Sequence, residues 1–224
     1  MGYFWSMPDS FIQQLQEQLR SPLPGSQAHG KMKARFDSQN GVRFKHEGEP
    51  QPGAVLVMFY KESGQWKFPL IQRPPYDGIH GGQIGLPGGK AEPEDSDLIQ
   101  TALRETHEEI GVEPEKVEVI GSLSSFYVGA SHYQILPVLG ICHSVPSFVP
   151  DPKEVAEVID APIQDFLVPK ASKEKEIEVR GVKLMAPYYD VRDKFIWGAT
   201  AMMLSELVEI IQPIQHTLTQ QSNE

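Results

Sequence analysis

The sequence predicts a layered α/β (α+β) fold, and three observations predict it. Apolar runs paired across short turns mark hairpins at 54–73 and 176–191. A long acidic helix follows the glycine turn Pro87-Gly88-Gly89. A second helix, opened by Phe195 to Thr200, runs to Ile211 with Ala199, Met202, Met203, Leu207 and Ile210 as its apolar face. Hairpins beside helices with one apolar side each bury those sides only by stacking in layers.

Taken in order, residues 9–20 read as an amphipathic helix, capped by Asp9 or Ser10, with Phe11, Leu15 and Leu19 on one side. Pro22-Leu23-Pro24-Gly25 ends it. Residues 26–52 hold Lys31, Lys33, Arg35, Arg43 and Lys45, expected either as a solvated loop or as a substrate-facing segment. Ala54 to Tyr60 is a buried strand, Lys61 to Gly64 its turn, and Lys67 to Arg73 the returning strand. A loop at 73–78 and a short strand within 80–89 lead into the glycine turn.

Beyond the acidic helix, Lys116–Leu123 and His132–Cys142 read as strands joined through Tyr127 to Ser131. Lys153 is expected to open a short helix after Pro150 and Pro152, placing Glu154 and Glu157 at i,i+3 on one face. The late hairpin turns at Gly181, and the tail after Pro213 is expected to be polar and frayed. The domain expectation is an N-terminal helix and linker at 1–25, one catalytic domain at 26–212, and a tail at 213–224. No internal repeat is apparent.

Composition narrows the functional classes. The chain has 224 residues, 40% hydrophobic and 22% charged, ordinary for a soluble globular protein. Its formal net charge of −10 argues against coating a nucleic acid or an anionic membrane, and leaves an anionic ligand dependent on local cations or a metal. The single cysteine, Cys142, lies in an apolar run, is expected to be a buried strand residue, and fits a reducing cytoplasm. No apolar stretch approaches the ~20 residues that span a bilayer, and the first residues lack the pattern of a secretion signal.

The acidic helix carries Arg104, Glu105, Glu108 and Glu109. At ~100° per residue the three glutamates fall within one sector roughly 100° wide. The stripe Ile99, Ala102, Leu103, Thr106 and Ile110 points roughly 120° away from its centre. Asp95, Ser96 and Asp97 supply capping oxygens at its start, and Gly111 can take the left-handed conformation at its end. Crowded carboxylates repel, so a helix that keeps them has a cation to hold. Hard oxygens suit Mg²⁺ or Mn²⁺, which bind through carboxylates together with substrate phosphates.

The run Arg104-Glu105-Thr106-His107-Glu108-Glu109-Ile110-Gly111-Val112 resembles the second half of the Nudix box, and Gly89 and Asp95 fit its first half. Three departures stand out: Asp95 for the usual Glu, Thr106 at a hydrophobic position, and eight residues instead of seven between Asp95 and Arg104. Upstream, Arg73, His80, Gly82-Gln83 and Leu86 to Gly89 keep a spacing similar to that of the coenzyme A pyrophosphatases within the Nudix superfamily. That group commonly shows the same Asp and longer spacing. Thr101 to Glu105, the Asp151 to Val158 stretch and Trp197-Gly198 before Thr200 resemble it as well, so the likeness covers roughly residues 26–212.

The resemblance implies a Nudix α/β/α sandwich with a mixed sheet, and metal-dependent hydrolysis of a diphosphate linkage. Coenzyme A or an acyl derivative is the expected substrate, split into phosphopantetheine and adenosine 3′,5′-bisphosphate. The alternatives are another nucleoside diphosphate compound (ADP-ribose, a nucleotide sugar, a dinucleoside polyphosphate) or a non-catalytic nucleotide-binding module. Expected metal ligands are Glu105, Glu108 and Glu109 with Gly89, and the expected cofactor is Mg²⁺ or Mn²⁺. Glu105 and Glu157 are both candidate general bases, and Arg104 is expected to brace the glutamates. His80 and Gln83 are expected either to brace their loop or to bind substrate, with Arg73, Arg35 and Arg43 as phosphate-binding candidates. The partner expected is a small nucleotide-type molecule, with a homodimer left open.

Overall fold

The apolar run at 54–60 becomes the centre of the molecule because it is buried on both faces. The computed structural model describes residues 9–36, 46–75, 80–168, 171–179 and 181–219. In chain order its elements are α1 (Ser10–Leu19), α2 (Ser26–Lys31), β1 (Arg35–Phe36), β2 (Gln51–Glu62), β3 (Gln65–Gln72), β4 (Ile84–Gly85), β5 (Gly88–Lys90) and α3 (Leu98–Ile110). There follow β6 (Val117–Ser122), β7 (Phe126–Val128), β8 (Tyr133–Cys142), β9 (Glu157–Pro162), α4 (Gln164–Leu167), β10 (Ser172–Val179), β11 (Val182–Val191), β12 (Lys194–Trp197) and α5 (Gly198–Ile211). Short 3₁₀ helices cover Pro114–Lys116 and Gln212–Thr219.

The main sheet has the order β4-β3-β2-β8-β6, with β5 also on β2, β7 on β8 and β9 on β3. It is mixed: β2 and β8 run parallel from Gln51 opposite Tyr133 to Phe59 opposite Ile141, and the other pairs are antiparallel. Layers on both sides explain why these two strands read as continuous apolar runs. Ala54, Leu56, Met58 and Tyr60 pack with Ala102 and Ile110 of α3 on one face. Val55, Val57 and Phe59 pack with Phe11 and Leu15 of α1 and Leu204 and Leu207 of α5 on the other. The result is a mixed α/β fold of helix, sheet and helix layers. A second sheet, β1-β11-β10 with β12 on β11, stands beside it.

The helix expected from Lys153 does not form. Residues 152–154 make a turn, and Glu157 begins β9 opposite Gln72. The amides of Val149 and Asp151 instead reach the carbonyls of Ile110 and Glu109 at 2.9 and 3.0 Å. Those carbonyls have no partner inside α3, so this segment serves as the cap of another helix. Gly111, at φ 72°, lets it come close: a Cβ there would stand 2.8 Å from the Cβ of Val149.

Two further expectations are corrected. The segment 26–52 is not all loop, since it contains α2 and β1. Residues 212–219 are not frayed, because Ile214 and Leu218 are buried in the same core as Phe11 and Leu15. That core joins residues from both ends of the described chain to the strands of the main sheet. A fully buried carboxylate, Glu206 of α5, ties the start to the end. It accepts from Gly25 N at 3.1 Å, His29 Nε2 at 2.9 Å, Ser124 N at 3.2 Å and Ser124 Oγ at 2.6 Å.

Candidate active site

The glycine turn lies tight against β2. Leu56 N donates to Pro87 O at 2.8 Å, and a Cβ on Gly88 (φ 143°) would stand 2.3 Å from Ala54 O. At Gly89 the obstacle is different. A Cβ there would meet the Glu105 carboxylate at 2.4 to 2.8 Å, so the missing side chain lets Glu105 lie over the β5 backbone. The helix then opens as its local sequence dictates: Asp97 accepts from Gln100 N at 2.8 Å, and Gly111 closes it in the left-handed conformation.

Asp95 does more than cap. Arg104 grips its carboxylate with two bonds, Nε to Oδ1 at 2.9 Å and Nη2 to Oδ2 at 3.0 Å, while Thr101 Oγ1 and Glu92 N donate to the same Oδ2. Those donors, the Arg104 bonds foremost, hold the Asp95 carboxyl well below its ordinary range. Arg104 also reaches Glu105 at 3.0 Å, Glu108 at 2.9 Å and Lys90 O at 3.0 Å. Fully engaged by protein, it braces the box.

The three glutamates do not share one exposed sector. Glu109 is 1% exposed and accepts from Gly88 N at 2.8 Å, with Arg73 Nη2 at 3.5 Å from its other oxygen. Glu105 sits at the β5 contact, and the Glu108 side chain is 53% exposed. The buried stripe is accordingly Thr101, Ala102, Thr106, Glu109 and Ile110, while Ile99, expected inside, is 38% exposed. The helix packs against the glycine turn as well as the sheet, and this rotates its inward face.

Burial pushes Glu109 up to about 7, helped by Glu105 and Glu154 and opposed by Arg73. Burial also raises Glu105, with Glu108 and Glu154 adding and Arg104 opposing. Among the described residues no three His, Cys, Asp or Glu side chains converge on one point; Glu105 and Glu108 meet at Arg104 Nη1, while Glu109 is turned to Gly88 N. Their chemistry nevertheless fits a hard divalent cation: oxygen donors, partly desolvated, each raising its neighbours' affinity for positive charge.

A stability consequence follows for the metal-free protein. Glu109 binds its proton more tightly folded (about 7) than at its ordinary value of 4.5. Its contribution is therefore complete below about 4.5 and is lost as pH rises toward 7. Thermal unfolding in chelator should show this loss in the wild type, and Glu109→Gln should remove that component. Identical pH profiles for the two proteins would contradict the burial effect.

Beside the box lies a cavity of about 480 Å³. Arg73, His80, Gln83, Gly88, Gly89 and Lys90 are among the residues that line it. His80 Nδ1 donates to Gln83 Oε1 at 3.1 Å, and Arg73 N donates to Gln83 O at 3.0 Å. These residues thus brace their loop and face the cavity at once. Arg35 does neither: it is paired with Glu174 at 2.6 Å on the second sheet, outside the cavity lining. Arg43 lies outside the described residues. Glu157 is held by Lys194 at 2.5 Å, and Glu154, not Glu157, acts electrostatically on Glu105 and Glu109. Lys90 was missed by sequence reasoning, although a cation directly after the glycine pair was the available signal.

A glycine turn feeding a carboxylate helix is thus layered on a mixed sheet beside a cavity. The NUDIX domain family model matches residues 50–180, and the chain belongs to that family. It is 38% identical over 174 residues to Nudix hydrolase 15, mitochondrial, of Arabidopsis thaliana, covering 75% of this chain. It spans 59% of that relative's length, and the same share of Nudix hydrolase 22, chloroplastic, from the same plant. With the Nudix hydrolase NudL of Yersinia enterocolitica it shares 34% identity over 197 residues, 80% of this chain and 98% of that one. Among solved structures, a MutT/nudix family protein from Enterococcus faecalis superposes with a TM-score of 0.49 at 14% identity, over 95% of this chain and 81% of that one. No helix among the described residues is long and apolar enough to cross a membrane.

Proposed function

We propose that this chain is a metal-dependent hydrolase of the diphosphate linkage in coenzyme A or its acyl thioesters, using Mg²⁺ or Mn²⁺. One observation carries the reading: the Arg73–His80–Gln83 segment lines the cavity together with Gly88 and Gly89 of the glycine turn, and both Arg73 and the Gly88 amide contact the box carboxylate Glu109. The Arg73 to Gly89 spacing resembles the coenzyme A group, and the largely apolar lining suits a pantetheine arm better than a second sugar. All three box glutamates are present, against a decayed binding module.

Glu105, Glu109 and the more exposed Glu108, with the Gly89 carbonyl, would hold the metal, which when bound neutralises diphosphate oxygens and acidifies a coordinated water. Arg104 keeps Asp95, Glu105 and Glu108 in register. Arg73 and Lys90 supply positive charge at the cavity mouth, and Arg73 can bind phosphate with two N–H groups. Glu105 is the preferred base, its proton affinity being raised by burial. Glu157 would first have to leave Lys194.

The deciding measurement is kcat/KM for coenzyme A against ADP-ribose with Mg²⁺ and with Mn²⁺. A ratio of at least tenfold in favour of coenzyme A, ~1.4 kcal/mol of barrier, is expected. A ratio favouring ADP-ribose would transfer the chain to the nucleoside diphosphate alternatives, and inactivity on both would remove the assignment.

A further inference from the structure

We infer that Tyr133 is the platform on which the nucleobase of the substrate stacks, so that a neutral ring holds the nucleoside half in place. The inference deepens the reading of function above and rests on it. It starts from an aromatic ring left without a protein partner. Tyr133 lines the cavity together with Val128 and Ile135. Among the described residues its hydroxyl makes no hydrogen bond and its ring meets no other ring. Its neighbours in kind are engaged. Tyr127 Oη lies 2.9 Å from His132 Nδ1, and Trp197, which also lines the cavity, has Phe195 beside it at 6.1 Å between ring centroids.

The fold fixes where this ring stands. Tyr133 begins β8 and is paired on both sides, with Gln51 of β2 and Val128 of β7. Successive side chains of a strand alternate between its faces. Gln134 accordingly turns away and donates to Ser125 Oγ at 2.6 Å, while Tyr133 and Ile135 reach the cavity. The ring is also close to the glycine turn. A Cβ on Gly53 would stand 2.6 Å from Gly89 O and 3.4 Å from Tyr133 Cδ1, so ring edge and carbonyl are separated by no more than those two distances together. That carbonyl is one of the groups that would hold the metal and, through it, the diphosphate. A nucleobase is tied to its diphosphate by a single ribose, so its seat has to lie nearby.

Charge gives a second reason. The formal net charge of −10 opposes a polyanionic substrate everywhere except at the metal and beside local cations. A purine is neutral and flat, and its stacking on an aromatic face is indifferent to that field. Tyrosine offers such a face at little conformational cost, because only two side-chain torsions have to be fixed. The pantetheine half of coenzyme A has no flat ring, so the contact distinguishes the two halves of the substrate.

The test is calorimetric binding of adenosine 3′,5′-bisphosphate and of phosphopantetheine to the full chain with Mg²⁺. Tyr133→Leu keeps bulk and removes the π face. It should weaken the bisphosphate by roughly five- to a hundredfold, the equivalent of one lost base–aromatic stack, and leave phosphopantetheine unchanged. Tyr133→Phe keeps the ring and should recover most of that affinity. Damage to the cavity wall would weaken both ligands, so a parallel loss overturns the platform. Unchanged bisphosphate affinity in Tyr133→Leu overturns it too, as does a Phe variant no better than the Leu variant. Turnover of coenzyme A by the same proteins keeps the two readings apart. Wild-type turnover with no effect of Tyr133→Leu on the bisphosphate removes the platform and leaves the proposed function standing. Selective loss of the bisphosphate in a protein that does not cleave coenzyme A removes that substrate and leaves the platform. A wild type that binds neither ligand and cleaves no coenzyme A overturns both.

Discussion

Glu109→Gln and Glu105→Gln should each lower kcat by at least about a hundredfold at saturating Mg²⁺, about 2.7 kcal/mol of barrier at ~1.4 kcal/mol per tenfold. Both substitutions keep shape and remove charge. Glu109 is the more sheltered, with Gly88 N and Arg73 as its neighbours, so the Gln can still accept from the amide while losing its hold on a cation. Glu108→Gln, on a half-exposed side chain, should cost nearer to tenfold. Circular dichroism and the unfolding midpoint separate a catalytic loss from a structural one. Near-normal turnover in both inner variants would mean that these carboxylates do not hold the metal.

The second large effect concerns stability. Arg104→Ala leaves Asp95, whose side chain is 3% exposed, without its two-pronged partner. Losing charge-assisted hydrogen bonds in this half-buried pair costs about 1.5–3 kcal/mol, which for a chain of this size lowers Tm by roughly 3–12 °C. Arg104→Lys keeps the charge but cannot grip both oxygens, and should recover only part of the loss. The control is a double-mutant cycle with Asp95→Ala, in which the second change should cost much less than it does alone. Strict additivity would show that the pair is not a unit. Activity should fall too, because the same guanidinium holds Glu105 and Glu108.

What the sequence made legible was local. Asp97 and Gly111 mark the ends of α3 through contacts within a few residues, and the alternation of apolar runs and turns marks both hairpins. The box residues were legible for the same reason: the carboxylates and their bracing arginine lie on one short helix. What failed depended on distant partners. Glu109 turned inward and Ile99 outward because α3 also packs against the glycine turn. The segment after Pro150 reads locally as a helix start, yet its amides serve the end of α3. Arg35 finds Glu174 on a strand 139 positions away, which no pattern around residue 35 foretells. The cavity combines Arg73 with Trp197 and Met203, so it exists only once both sheets are assembled. Ile214 and Leu218, four apart, were a readable helical pair that the polar composition around them concealed.

Glu206 draws a distinction between ancestry and autonomy. The segment recognisable by descent runs from 50 to 180, whereas this carboxylate, at position 206, is hydrogen-bonded by Gly25 and His29. A shortened chain starting at residue 50 would keep every box glutamate and still leave the Glu206 carboxyl with only Ser124 among these partners. The smallest piece that carries the chemistry is therefore not the smallest piece that can fold. The joint at Glu206 works beside the core that Phe11 and Leu15 share with Ile214 and Leu218, so both ends of the described chain belong to one packed unit.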